Sequence, residues 1–131
     1  MNKVRILLAD DHPQFPDLVE SLLEPNCEVV GKVCDGRALV EAAERLYPDI
    51  IVTDISMPVL NGFEAAEQIQ KAGSHAKIIF LTVHSDPDFV RTALSIGAFG
   101  YITKPRVALD LLPAIHEALA DHLFISQDPT S

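Results

Sequence analysis

The sequence has little that would bind it to a membrane or a nucleic acid. No apolar run approaches the ~18 residues a spanning helix needs. The apolar stretch at residues 4–9 stops at Asp10 and reads as a strand, not as a signal peptide. Basic residues are scarce: 10 Lys and Arg stand against 19 Asp and Glu, a formal net charge of −9. A chain this acidic repels phosphate backbones and anionic bilayers, which argues against direct nucleic-acid contact by this segment and against a membrane partner.

Cysteine is rare as well. Cys27 and Cys34 bracket an apparent strand, which sets them about 23 Å apart at 3.3 Å per residue. A disulfide needs Cα atoms within about 7 Å, so both are expected as free thiols, small core residues of a protein in a reducing cytoplasm. Repeats and low-complexity segments are absent. What remains is a chain of 131 residues, 48% hydrophobic, long enough for one domain with a core that needs no disulfide or metal staple.

Two kinds of segment alternate. Short apolar or β-branched runs occur at 4–9, 28–34, 50–53, 77–81 and 99–103, several without alternation, as strands covered on both faces require. Stripes of helical period follow them: Leu18, Val19, Leu22 and Leu23; Leu39, Ala42, Ala43 and Leu46; Phe63, Ala66 and Ile69; Val90, Ala93, Leu94 and Ile96; and Leu111, Leu112, Ile115, Ala118 and Leu119. Asn61 with Glu64, and Ser85 with Asp88, have capping-box spacing. Gly73 and Gly97 stand where helix ends favour a left-handed residue, Pro25 and Pro48 close helices, and Pro113 falls inside the last one. The pattern predicts an α/β fold: a doubly wound, five-stranded parallel sheet flanked by five helices, with a loose tail from Ser126 to Ser131.

Ligands of such sheets bind beyond the carboxyl ends of the strands. Asp10 and Asp11 follow the first strand, Asp54 the third, Thr82 the fourth and Lys104 the fifth. Strand order 2-1-3-4-5, the flavodoxin-like topology, brings the first and third strands together and gathers the three acids in one pocket. Carboxylates that close repel unless a cation intervenes, and hard oxygen donors with few protein ligands suit Mg²⁺. A carboxylate nucleophile, acids for a metal, a hydroxyl and a lysine are the groups that phosphoryl transfer to a side chain needs.

These strings resemble those of two-component response-regulator receiver (CheY-like) domains: LADDHP at 8–13, VTDISMP at 52–58 with NG at 61–62, LT at 81–82 and GYITKP at 100–105. The resemblance covers residues 3 to 125, and the first string with LFIS at 123–126 is most similar to the NarL/FixJ-type subfamily, in which a helix-turn-helix domain follows. It implies that Asp54 is the phosphoacceptor, that Asp11 binds Mg²⁺ directly and Asp10 through water, and that the Ser56 backbone carbonyl is a further ligand. It further implies that Thr82 hydrogen-bonds the phosphoryl group, that Lys104 pairs with it through a segment with a cis Lys104–Pro105 bond, and that Tyr101 is an aromatic switch turning inward when Thr82 moves. The partner implied is a sensor histidine kinase, with homodimerisation on phosphorylation and an output in transcription. A stand-alone receiver acting by docking or phosphorelay is the alternative.

Other chemistries fit less well. Dehalogenase-like phosphatases carry a second Asp two residues after the nucleophile, where this chain has Ser56. A flavin carrier needs a Ser, Thr or Gly loop after the first strand, and Asp10-Asp11 would repel its phosphate. A degenerate receiver would have lost one of the acids or Lys104. The five histidines show no metal-ligand spacing, although His84 is close enough to Thr82 to tune a phosphate's lifetime. Val83, Pro16 and Arg106 depart from common receiver residues, Val83 narrowing access to the site, yet none removes a required group.

Overall fold

The computed structural model describes residues 3–83 and 86–126. Six strands form one sheet among the described residues: β1 (Val4–Ala9), β2 (Cys27–Val33), β3 (Ile50–Thr53), β4 (Lys77–Thr82), β5 (Gly100–Thr103) and β6 (Phe124–Ile125). Their order is β2-β1-β3-β4-β5-β6, and every pairing is parallel. Five α-helices among the described residues connect or follow them: α1 (Phe15–Ser21), α2 (Gly36–Leu46), α3 (Gly62–Lys71), α4 (Pro87–Ile96) and α5 (Val107–Leu119).

The side-chain alternation of a strand divides the core in two. Leu7, Ala9, Ile51, Ile78, Phe80 and Tyr101 face α2, α3 and α4. Ile6, Leu8, Ile50, Val52, Ile79, Leu81 and Ile102 face α1 and α5. Both sets are buried, which is why the central strands read as continuous apolar runs rather than alternating ones.

Local signals end the elements as expected in several places. Asn61 caps α3 in a full capping box with Glu64, and Gly97 ends α4 at φ 91°. Tyr47, ahead of Pro48, closes α2 at φ 50°. Asp86 is the cap of α4, accepting the Asp88 N–H; the expected Ser85 cap lies outside the described residues, as do His84 and the tail beyond Ser126. Pro113 is exposed within α5. The carbonyl it leaves without a helical donor is that of exposed Leu109, where water can serve it.

Four expectations are corrected. The sheet has six strands, not five. β6 is only two residues long, too short to show a period, and forms through backbone bonds, Phe124 N–H to Phe99 O at 3.0 Å and Ser126 N–H to Tyr101 O at 2.8 Å. α1 stops at Ser21: within it Val19 is buried and Leu18 exposed, while Leu22 and Leu23 lie past its end and pack half-buried against the core. Both cysteines are free; Cys27 packs half-buried against the core as expected, but Cys34 is exposed just past the end of β2 and is no core residue. The Lys104–Pro105 bond is trans, the intrinsically preferred isomer, within a 3-10 turn at Lys104–Arg106.

Candidate functional site

Four of the six described strands, β1, β3, β4 and β5, end in or lead directly into the expected site residues at the same end of the parallel sheet. The ladder continues one residue past β1 and β3. Asp10 N–H reaches Val33 O at 3.1 Å, and Asp54 N–H reaches Ala9 O at 2.9 Å. Both acids are therefore held by backbone bonds and are buried at 5% and 6% exposure, while Asp11 turns outward. Carboxylate oxygens of Asp10, Asp11 and Asp54 all lie within 4.8 Å of one another.

The loops fix these carboxylates further. His12 N–H donates to Asp10 Oδ1 at 2.8 Å, and Ser56 N–H donates to Asp54 Oδ1 at 3.2 Å. Both are Asx-type bonds, which orient a side chain against its own turn. Ser56 itself is exposed. Behind Asp54, Gly62 N–H bonds Ile55 O at 2.7 Å, and a Cβ on Gly62 would fall 2.2 Å from Asp54 O. No side chain fits there, which gives the NG pair at 61–62 a physical reason.

Lys104 enters from β5. Its Nζ lies 2.8 Å from Asp10 Oδ2 and donates a 2.9 Å hydrogen bond to Asp54 Oδ2. Burial would lower this ammonium, but the Asp10 and Asp54 carboxylates outweigh that and hold it above the usual lysine range. Asp10 Oδ2 is buried, and the Lys104 ammonium is its ion-pair contact. The third side of Lys104 is the Phe15 ring, 4.5 Å from Nζ to centroid.

Thr82 ends β4 fully buried, opposite Thr103 in the β4–β5 register. Tyr101 is buried in the α2–α3–α4 half of the core, opposite Phe80. Burial, reinforced by the charge of Asp86, pushes its phenol up to about 12. Val83 is 68% exposed beside the site. Of the expected residues, Asp10, Asp11, Asp54 and Lys104 come together in one cluster, while Thr82 ends the neighbouring strand and Tyr101 lies in the core. Sequence reasoning missed Phe15, which carries no motif and meets Lys104 only through the fold.

The donor set suits a hard divalent cation. It offers three carboxylates within 4.8 Å of one another and contains no sulfur or imidazole ligand.

The chain belongs to the response regulator receiver domain family, whose match spans residues 6–116. It is 37% identical over 124 residues to the nitrate/nitrite response regulator protein NarL of Escherichia coli (strain K12), covering 93% of this chain and 57% of NarL. It is 38% identical over 116 residues to the transcriptional regulatory protein DegU of Brevibacillus brevis, covering 87% of this chain and 49% of DegU. The chain therefore spans about half the length of these curated relatives. A two-component response regulator of the LuxR family from Aurantimonas sp. SI85-9A1 superposes with a TM-score of 0.89 at 31% identity, covering 98% of this chain and 92% of that one. The isolated REC domain of RcsB from Salmonella enterica serovar Typhimurium, solved in the presence of phosphomimetic BeF3-, gives 0.87 at 26% identity, covering 96% and 95%. These are NarL/LuxR-type regulators, and receiver domains are signalling proteins of two-component systems rather than turnover enzymes. No described helix is long and apolar enough to cross a membrane.

Proposed function

We propose that this receiver is a phosphorylation switch in which Asp54 takes a phosphoryl group from a phosphohistidine of a sensor kinase. The P–N bond breaks, a P–O bond forms to an Asp54 carboxylate oxygen, and the imidazole leaves with the electron pair. The observation that carries this reading is Asp54 itself: buried, backbone-anchored and hydrogen-bonded to Lys104 at 2.9 Å, with the Asp10 and Asp11 carboxylates alongside. Asp11, Asp10, Asp54 and the Ser56 carbonyl would hold Mg²⁺, which supplies positive charge to the transferring oxygens. Lys104 neutralises a second oxygen, and the Thr82 hydroxyl donates to a third. Slow hydrolysis of the acyl phosphate resets the switch.

The modification adds about −1.5 to −2 charge and three acceptor oxygens. Lys104 and Thr82 close on them; Tyr101, expected to turn inward at that point, is already buried in this structure, so its response to Thr82 is a repacking within the core. The α4–β5–α5 face shifts between two existing states and controls dimerisation or an output domain. Residues 1–125 form the receiver and 126–131 a tail or the start of an interdomain linker, of which Ser126 is not loose but buried and hydrogen-bonded to Asp110 and Thr103. The length of the relatives, and the names of DegU and LiaR as transcriptional regulatory proteins, support an output in transcription through a DNA-binding domain outside this chain.

The test is incubation with Mg²⁺ and acetyl phosphate, with the adduct read by intact mass. A labile gain of one phosphoryl group that Asp54→Asn abolishes supports the switch. No adduct, or an adduct unchanged in that variant, overturns it.

A further inference from the structure

Lys104 has three anchors, and they are not equivalent. Two are the carboxylates of Asp10 and Asp54, the same groups that make up the acidic cluster. A divalent cation among those acids competes with the ammonium for their oxygens, since each carboxylate has a limited negative charge to share. The third anchor is the face of Phe15, 4.5 Å from Nζ. An aromatic face attracts an ammonium through its quadrupole and ligates no hard cation. It is the anchor that survives when the carboxylates turn to a metal.

Phe15 is built to stay in place. Its N–H bonds His12 O at 3.3 Å, and it opens α1 with Pro16 directly after it, a residue whose ring fixes φ. It packs against the α1–α5 half of the core, so its inner edge is held while its face meets the lysine. Only 10% of the Lys104 side chain is exposed, and a cavity of about 690 Å³ between Phe15, Leu18, Val83 and Lys104 opens beside the pair. Without the ring, that cavity is open space into which the ammonium can swing away from Asp54.

From this arrangement we infer that Phe15 is a positioning residue for Lys104, seating the ammonium beside Asp54 when the acidic cluster holds its metal. The role rests on the phosphoacceptor reading of Asp54, and acts on rate through Lys104 without touching the phosphoryl group.

The test compares the wild type with Phe15→Leu, which keeps apolar volume but has no ring, and Phe15→Tyr, which keeps the ring. Two quantities are measured: adduct formation with acetyl phosphate and Mg²⁺, and the NMR shift of the Lys104 ε-methylene protons with and without Mg²⁺. The upfield ring-current shift is expected to persist in the wild type and Phe15→Tyr when Mg²⁺ is added, and to be missing in Phe15→Leu. Adduct formation is expected to slow about fivefold in Phe15→Leu and to stay within about twofold in Phe15→Tyr. Equal rates for the wild type and Phe15→Leu, equal slowing in both variants, or loss of the wild-type shift on adding Mg²⁺ would each overturn the inference. If the phosphoacceptor reading were wrong, the wild type itself would form no adduct, a result distinct from all of these.

Discussion

Ser126 Oγ donates a 2.6 Å hydrogen bond to Asp110 Oδ2, tying the residue after β6 to the first turn of α5. The same hydroxyl accepts the Thr103 N–H at 3.3 Å, and Arg106 Nε donates to Asp110 Oδ2 at 2.9 Å. Thr103 is the residue before Lys104. Ser126 is therefore fastened both to α5 and to the last residue of β5, the strand that leads into the site lysine.

This cluster gives stability a defined acid dependence. Burial would raise the Asp110 carboxyl, but the Arg106 and Ser126 hydrogen bonds outweigh it and hold it below the usual carboxylate range. A depressed pKa contributes stability above the ordinary carboxylate value of about 3.9 and loses it as pH falls through the folded value. Asp110→Asn is expected to lower stability by about 1–2 kcal/mol at pH 7. The gap from wild type should close below about pH 4. Urea midpoints for both proteins between pH 3 and 7 check this; a gap that does not change with pH contradicts it.

Gly62→Ala acts on the site from behind. The added Cβ would meet Asp54 O at 2.2 Å and Ile55 Cα at 3.0 Å, both backbone atoms with little room to give. The expected cost is about 1–3 kcal/mol, together with a slower gain of phosphate because the Asp54 backbone is pushed. Urea unfolding measures the first and adduct formation the second. An unchanged adduct rate in a destabilised variant would show that the Asp54 backbone had not moved.

Five strands were legible because apolar runs such as IIVT at 50–53 are covered on both faces and end abruptly at an acid or a turn. The acidic cluster was legible for a related reason, since parallel order alone carries Asp10 and Asp54 to adjacent strand ends. β6 was not, because its pairing is made by main-chain groups and two residues show no period. Nor was the Phe15–Lys104 contact, which depends on where α1 settles against β5. Cys34 was misjudged because the apolar pattern of β2 says nothing about which residue lies past its end.

The two thiols should separate kinetically. Burial, together with the charge of Glu24, pushes the Cys27 thiol up despite a backbone hydrogen bond, so it is a poor nucleophile near neutrality. Cys34 is exposed. Titration with a thiol-reactive chromogen at pH 8 is expected to give two phases in the native protein. The fast phase should vanish in Cys34→Ser and persist in Cys27→Ser.

Tyr101 predicts an alkaline limit. Its phenol is held up to about 12 by burial and by Asp86. An acid whose folded pKa is raised favours the fold while protonated. Its contribution is present below the unfolded value of about 10 and is lost as pH rises through the folded one. Tyr101→Phe, which has no such proton, should lose less stability than the wild type between pH 10 and about 12. Matched urea midpoints across that range test the difference, and parallel curves would contradict it.

Lys104 offers the most direct probe of the acidic cluster. Its ammonium is the positive charge between two buried carboxylates, 2.8 Å from Asp10 and 2.9 Å from Asp54. Lys104→Met leaves those carboxylates facing each other without a cation, and in metal-free buffer the expected loss is about 3 kcal/mol. A divalent cation then becomes the replacement charge. Mg²⁺ at a hundredfold excess over its dissociation constant is worth about 2.7 kcal/mol, and that constant should be lower in the variant, where no ammonium competes. Thermal unfolding with EDTA and with Mg²⁺ reads both terms at once. Mg²⁺ should raise the melting temperature of Lys104→Met by more than that of the wild type. An equal or smaller rise would mean that the lysine and the metal do not share these oxygens, and the electrostatic account of the site would fail with it.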